Sequence, residues 1–243
     1  MDVQVVQEDS DLLRALRPGD RAILEPHLAD LKLSAGDVIY RPGDLVEFCY
    51  LPRGAAVCSY FIELDSGIEV ETILVGREGA LGGVVSMGHL PAFARSGVLH
   101  AGRFWRIPTR QLEDIKAQSP AIANLFARYA DCVMAQVFQS IACNAVHTIE
   151  QRAARWLGAA VDRIGSDDVT MTQEQLASMM GIGRSYASRV LQRFKRDGLL
   201  RTRRGGISIL DRAGLSDRAC SCNDHVRSHF DRVLEGVYPR EGG

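Results

Sequence analysis

The sequence has no apolar run approaching the ~18–20 residues that a membrane-spanning helix requires. Its opening, MDVQVVQEDSDLLRALRPGD, is polar and acidic, without the basic and apolar regions of a signal peptide. The expectation is a cytoplasmic chain that does not enter a membrane. Signatures of catalysis are also missing. There is no nucleophile elbow and no paired metal-carboxylate motif, and GREGALGG at 76–83 lacks the Gly-Lys-Ser/Thr ending of a Walker-type loop. The sequence therefore points away from an enzyme. Cys49, Cys58, Cys132, Cys143, Cys220 and Cys222 read as buried thiols rather than disulfides in such a compartment.

What the chain does have is enough apolar residue, 46% of 243, for two cores. Its net charge of −1 hides an asymmetry. Residues 1–115 carry 17 acids and 11 bases, whereas residues 116–243 carry 13 acids and 18 bases. The second half suits a polyanionic partner, and the first half has another task.

The most informative stretch is Thr172 to Arg196, TQEQLASMMGIGRSYASRVLQRFKR. Thr172 and Gln175 have capping-box spacing, and Leu176, Met179 and Met180 share one helix face. Gly181 supplies a break. A second helix starts near Gly183, burying Ala187, Val190, Leu191 and Phe194. Its other face carries Arg184, Ser185, Tyr186, Ser188, Arg189, Gln192 and Arg193, with Thr172 and Gln173 at the front of the preceding helix. Arg, Ser and Gln side chains at the start of such a helix can hydrogen-bond base edges and phosphates in a major groove. After it, Leu199 to Leu210 reads as strand, Gly205-Gly206 turn and strand, with Arg203 and Arg204 at the tip. Together these make a winged helix-turn-helix. From Arg184 to Arg204 there are eight Lys/Arg against one acid, Asp197, a density that fits double-stranded DNA.

Upstream, Asp11 to Leu28 suggests two short helices broken at Pro18-Gly19. From Ala29 to Pro108, alternating residues and turn glycines predict a β-roll of short strands. A long helix begins at Ser119-Pro120. Its Leu125, Tyr129, Cys132 and Gln136 follow heptad spacing and are the expected seam with a partner helix. Ala145–His147 is the expected hinge, and Thr148 with Gln151 caps the next helix. The division is an effector domain at 1–118, a dimerisation helix at 119–144, a DNA-binding domain at 145–214 and a helical tail at 215–243. The fold class is α+β.

In that order, β-roll, long helix and winged helix, the chain resembles the Crp/Fnr superfamily of bacterial transcription regulators from about Leu28 to Leu210. The resemblance is strongest in TQEQLASMMGIGRSYASRVLQRFKRDGLL and IEQRAARWL, and RPGD at 41–44 and GREGALGG look like the family's effector-domain turns. It implies a homodimer on two-fold symmetric promoter sites, in contact with RNA polymerase. In the family's R-E-x-x-x-R recognition pattern, Arg184 and Arg189 hold the outer positions and Ser185 replaces the Glu. Gly82, Gly83, Arg95 and Ser96 match the effector pocket, where cyclic-nucleotide binders place Gly-Glu and then Arg-Ser. Here the carboxylate is missing, and the longer intervening loop, with His89, Pro91 and Phe93, would crowd the sugar-phosphate. Cyclic AMP is therefore not the expected effector, which stays unidentified. The Fnr-type N-terminal cysteine cluster is also absent.

Cys220, Cys222, His225 and His229 form C-x-C-x2-H-x3-H outside the resemblance. One reading is two thiols packing a C-terminal helix that exposes its histidines. The other is a Zn²⁺ site that makes the tail a metal or redox sensor. A non-specific architectural DNA binder is the alternative to a sequence-specific regulator.

Overall fold

The computed structural model describes residues 8–65, 67–84 and 90–238. It opens with two short helices, α1 (Asp11–Arg14) and α2 (Pro18–Leu24). Pro18 begins the second helix, because a residue in the first turn has no intrahelical N–H bond to lose.

The strands β1 (Ala29–Leu33), β2 (Val38–Tyr40), β3 (Phe48–Arg53), β4 (Val57–Glu63), β5 (Glu69–Val75), β6 (Arg95–His100) and β7 (Gly102–Pro108) follow. They form two antiparallel sheets, ordered β1-β7-β3 and β2-β6-β4-β5. Cys58, Val75, Val98 and Phe104, one each from β4 to β7, meet between them. This is the β-roll.

Helix α3 (Thr109–Gln118) leads to the long α4 (Pro120–Val146). Ser119 caps α4 by accepting from the Ile122 N–H at 3.3 Å. The helix runs two residues past the expected end, and the chain turns extended at His147. There the capping box closes, with Gln151 N–H on Thr148 Oγ1 at 3.3 Å and Thr148 N–H on Gln151 Oε1 at 3.0 Å. Helix α5 (Ile149–Ile164) starts at that point, so the break lies at the edge of the expected hinge.

The predicted helix seam lies inside the chain's own core. Leu125, Tyr129 and Cys132 are buried with Leu51, Ile107 and Leu112, and with Phe230 from the C-terminal helix. Tyr129 donates its hydroxyl to the Ala80 carbonyl at 3.0 Å, and Gln136 Nε2 donates to the Leu74 carbonyl at 3.1 Å. These side chains are occupied by the β-roll and by the tail. The face left in solvent carries Met134, Phe138 and Ile141, which are 49%, 63% and 63% exposed.

After α5 come β8 (Asp168–Thr170), α6 (Gln173–Met179), α7 (Arg184–Arg196), β9 (Leu200–Arg203), β10 (Gly206–Ile209) and α8 (Arg212–Arg218). Their sheet, β8-β10-β9, is the wing. Trp156, Leu157, Leu176, Leu191, Phe194 and Ile207 share one core, which also takes in Phe61 and Leu74 of the β-roll. Three polar contacts fasten the same junction. Trp156 Nε1 donates to Glu71 at 2.8 Å, Ser178 Oγ to the Glu69 carbonyl at 2.7 Å, and Arg163 Nε to Glu78 at 2.7 Å. Helix α8 extends past residue 214, and α9 (Cys222–Leu234) then returns to lie along α4.

Candidate nucleic-acid interface

Helix α6 is capped as its sequence requires: Gln175 N–H bonds Thr172 Oγ1 at 3.1 Å, and Thr172 N–H bonds Gln175 Oε1 at 2.8 Å. Gly181 turns the chain with φ of +65°, a conformation that disfavours side chains with a Cβ. Gly183 then precedes α7. Ala187, Val190, Leu191 and Phe194 face the core, so the helical period fixes what faces outward. Arg184, Ser185, Tyr186, Arg189, Gln192 and Arg193 are exposed, with Ser188 half-buried. Thr172 is exposed and Gln173 half-buried beside them.

Ion pairs divide the basic residues into two groups. Arg193 pairs with Glu150, Arg196 with Asp197, and Arg203 with Asp168 at 3.4 Å. Arg184, Arg189, Lys195, Arg201 and Arg204 make no ion pair among the described residues. The guanidinium of Arg189 lies 5.1 Å from the Tyr186 ring centroid, which steers it along the exposed face. The result is an uncompensated cationic surface on α7 and at the wing tip.

The predicted effector residues meet a different arrangement. Arg95 is held in a two-bond pair with Glu69, with Nη2 to Oε2 at 2.7 Å, and lies over the Phe61 ring at 4.1 Å. Its guanidinium is thus already paired with a carboxylate. Ser96 is fully buried, and its hydroxyl has no partner among the described residues. Gly82 and Gly83 both have positive φ; a Cβ would come within 2.5 Å of the Phe48 carbonyl at the first and 2.6 Å of Thr109 at the second. The turn therefore sits against β3 and α3 with no room for a side chain. Phe93, expected to crowd a sugar-phosphate, is 88% exposed and fills no space there. His89 lies outside the described residues.

The tail residues separate. His225 is exposed, and His229 Nε2 faces Asp131 at 3.4 Å. Cys220 and Cys222 instead join Cys143 and His147, with all four potential ligand atoms within 4.8 Å of one another. Sequence reading missed this group because it paired the cysteines with their nearest histidines. The available signal was the C-x3-H spacing of Cys143 and His147 at the end of α4.

Comparison with known proteins agrees with this architecture. The family model of the Crp-like helix-turn-helix domain matches residues 151–218. The fumarate and nitrate reduction regulatory protein of Salmonella typhi is 23% identical over 208 residues, covering 81% of this chain and 79% of its own. A crystal structure of a putative Crp/Fnr-family regulator from Eubacterium rectale superposes with a TM-score of 0.64 at 19% identity, covering 85% of this chain and 96% of its own. FixK2 from Bradyrhizobium japonicum gives 0.66 at 13% identity, covering 79% and 98%. The chain thus carries a Crp-like helix-turn-helix domain at 151–218 and shares the fold of solved Crp/Fnr-family regulators.

Proposed function

We propose that this protein is a homodimeric, sequence-specific transcription regulator that inserts α7 into the DNA major groove and lays the wing along the backbone. The observation that carries the reading is the uncompensated cationic face of α7 and the wing, built on a recognition helix whose polar side chains point to solvent. Arg184 and Arg189 are the base-reading candidates, while Arg203 and Arg204 act through phosphate charge. A Ser at position 185 cannot accept from a cytosine amine as a carboxylate does, so the preferred site departs from that of R-E-x-x-x-R readers.

Dimerisation runs along the exposed face of α4. Ala127, Asp131, Met134, Phe138, Ile141 and Ala145 step by 4, 3, 4, 3 and 4, a heptad seam in which only Asp131 is charged. The β-roll senses a signal other than cyclic AMP, since the matching arginine is committed to Glu69.

The test is to select binding sites from a random DNA pool and compare the wild type with Arg189→Ala on the selected and on random duplexes. The variant should lose ~1–3 kcal/mol on the selected site and less on random DNA at the same salt. If no sequence is enriched, or both duplexes lose equally, the protein is an architectural binder and the base-reading role is wrong.

A further inference from the structure

Four side chains that no DNA-binding role uses converge beside the hinge. Cys143 lies near the end of α4, His147 caps that helix, and Cys220 and Cys222 flank the start of α9. Cys143, Cys220 and Cys222 are 1%, 8% and 3% exposed and make a buried cluster of their own. The three buried thiols cluster apart from the larger apolar cores, and a cysteine's reactivity more than its packing usually decides its place.

The spacing has a chemical meaning. Cys143 Sγ lies 3.6 Å from Cys220 Sγ, and Cys222 Sγ lies 3.5 Å from His147 Nδ1. A tetrahedral Zn²⁺ with ordinary Zn–S and Zn–N bonds holds two sulfurs about 3.8 Å apart and a sulfur and nitrogen about 3.5 Å apart. Those two separations match ligands around one ion, and all four ligand atoms lie within 4.8 Å of one another. Cubane iron–sulfur clusters bind each thiolate at a different corner, which demands a wider spread than 4.8 Å.

The surroundings fit thiolates. Gln139 Nε2 donates to Cys222 Sγ at 3.1 Å, an outer hydrogen bond of the kind that orients a metal ligand. Arg152 and Arg155 act electrostatically on Cys143 and offset the excess negative charge that three thiolates leave on a divalent ion.

We infer that Cys143, His147, Cys220 and Cys222 form a closed Cys3His site for one Zn²⁺-class ion, which ties the end of α4 to the start of α9. With four protein ligands the site has no open position, so it is structural rather than catalytic.

Metal content of the full-length protein, reduced and supplied with Zn²⁺, tests the assignment. One zinc per chain is expected, and Co²⁺ in its place should show the thiolate charge-transfer absorption of a tetrahedral sulfur-rich site. Cys143→Ser and Cys222→Ser should each lower zinc affinity by about a hundredfold or more, whereas the His225→Ala/His229→Ala double variant should retain it. Zero zinc in the reduced wild type, iron with acid-labile sulfide, or full zinc retention by the cysteine variants would overturn the site. So would a Cys143–Cys220 disulfide that persists through reduction. Where a variant fails to fold, the Co²⁺ spectrum of the wild type decides alone, because a spectrum without thiolate absorption excludes these ligands.

Discussion

Glu71 is a carboxylate in an awkward place. Burial pushes its pKa above the ordinary 4.5, against the opposing pull of Ser59, Arg155, Trp156 and Arg163. It accepts from Ser59 Oγ at 2.7 Å and from the Trp156 indole at 2.8 Å, where the β-roll meets α5. Between 4.5 and its raised folded value, the folded chain keeps a proton that the unfolded chain has released. Stability therefore falls as pH rises through that interval and stays lower above it. Glu71→Gln removes the ionisation while keeping an acceptor oxygen. Its thermal midpoint should depend less on pH above 4.5 than that of the wild type. Parallel pH profiles for the two proteins would show that Glu71 does not carry the dependence. At this scale the sequence reveals the recognition surface well, since helical period alone turns Arg184 and Arg189 outward. It reveals Arg95 poorly: the partner that neutralises it, Glu69, belongs to another strand, and their meeting depends on β4 lying between β5 and β6.

Helix α4 carries two apolar stripes at heptad spacing, and spacing alone does not say which one packs inside the chain. Leu125, Tyr129 and Cys132 are buried against the β-roll, α3 and Phe230 of α9, while Met134, Phe138 and Ile141 are exposed. A C-terminal helix that folds back along α4 cannot be read from α4 itself. A contiguous exposed row of large apolar side chains on one helix is the face on which the proposed dimer would close. Phe138→Asp with Ile141→Asp should give a monomer by sedimentation, with native helix content and weaker DNA binding, because each half-site is then held alone. A dimer that survives both charges rules out this face. The wing shows the opposite case. Its turn chemistry, Gly205-Gly206 between short strands, is local, and the observed register pairs Gly206 with Arg203 as a tight hairpin does.

Across the whole molecule, the β-roll and the winged helix share a core and a set of polar bonds. Glu69 stands at the centre of that junction: its carboxylate holds Arg95 and its carbonyl accepts from Ser178 in α6. A cyclic phosphate could claim Arg95 only by unpairing Glu69, at the strand that carries the DNA-binding domain. Gly83, pressed on Thr109, offers no side-chain carboxylate for a ribose hydroxyl, and its carbonyl already accepts from Lys116 Nζ at 3.1 Å. A hydrogen bond to a charged group contributes ~1.5–3 kcal/mol, so its absence weakens binding about ten- to a hundredfold. Calorimetry should detect no cyclic AMP or cyclic GMP binding in the micromolar range, and the selected DNA site should bind without either. Micromolar affinity for either nucleotide, with tighter DNA binding, would refute this.

Cys143 and Cys220 lie 77 residues apart in the chain and 3.6 Å apart in space. Nearly all of that interval is the Crp-like domain matched at 151–218. Entrance to and exit from the domain thus coincide, while Glu69, Glu71 and Glu78 of the β-roll hold it at a second place. A body held at two such places is braced against rotation as well as against translation. Reorienting α7 would therefore have to break the Glu69, Glu71 and Glu78 contacts, even with the Cys143–Cys220 end left closed.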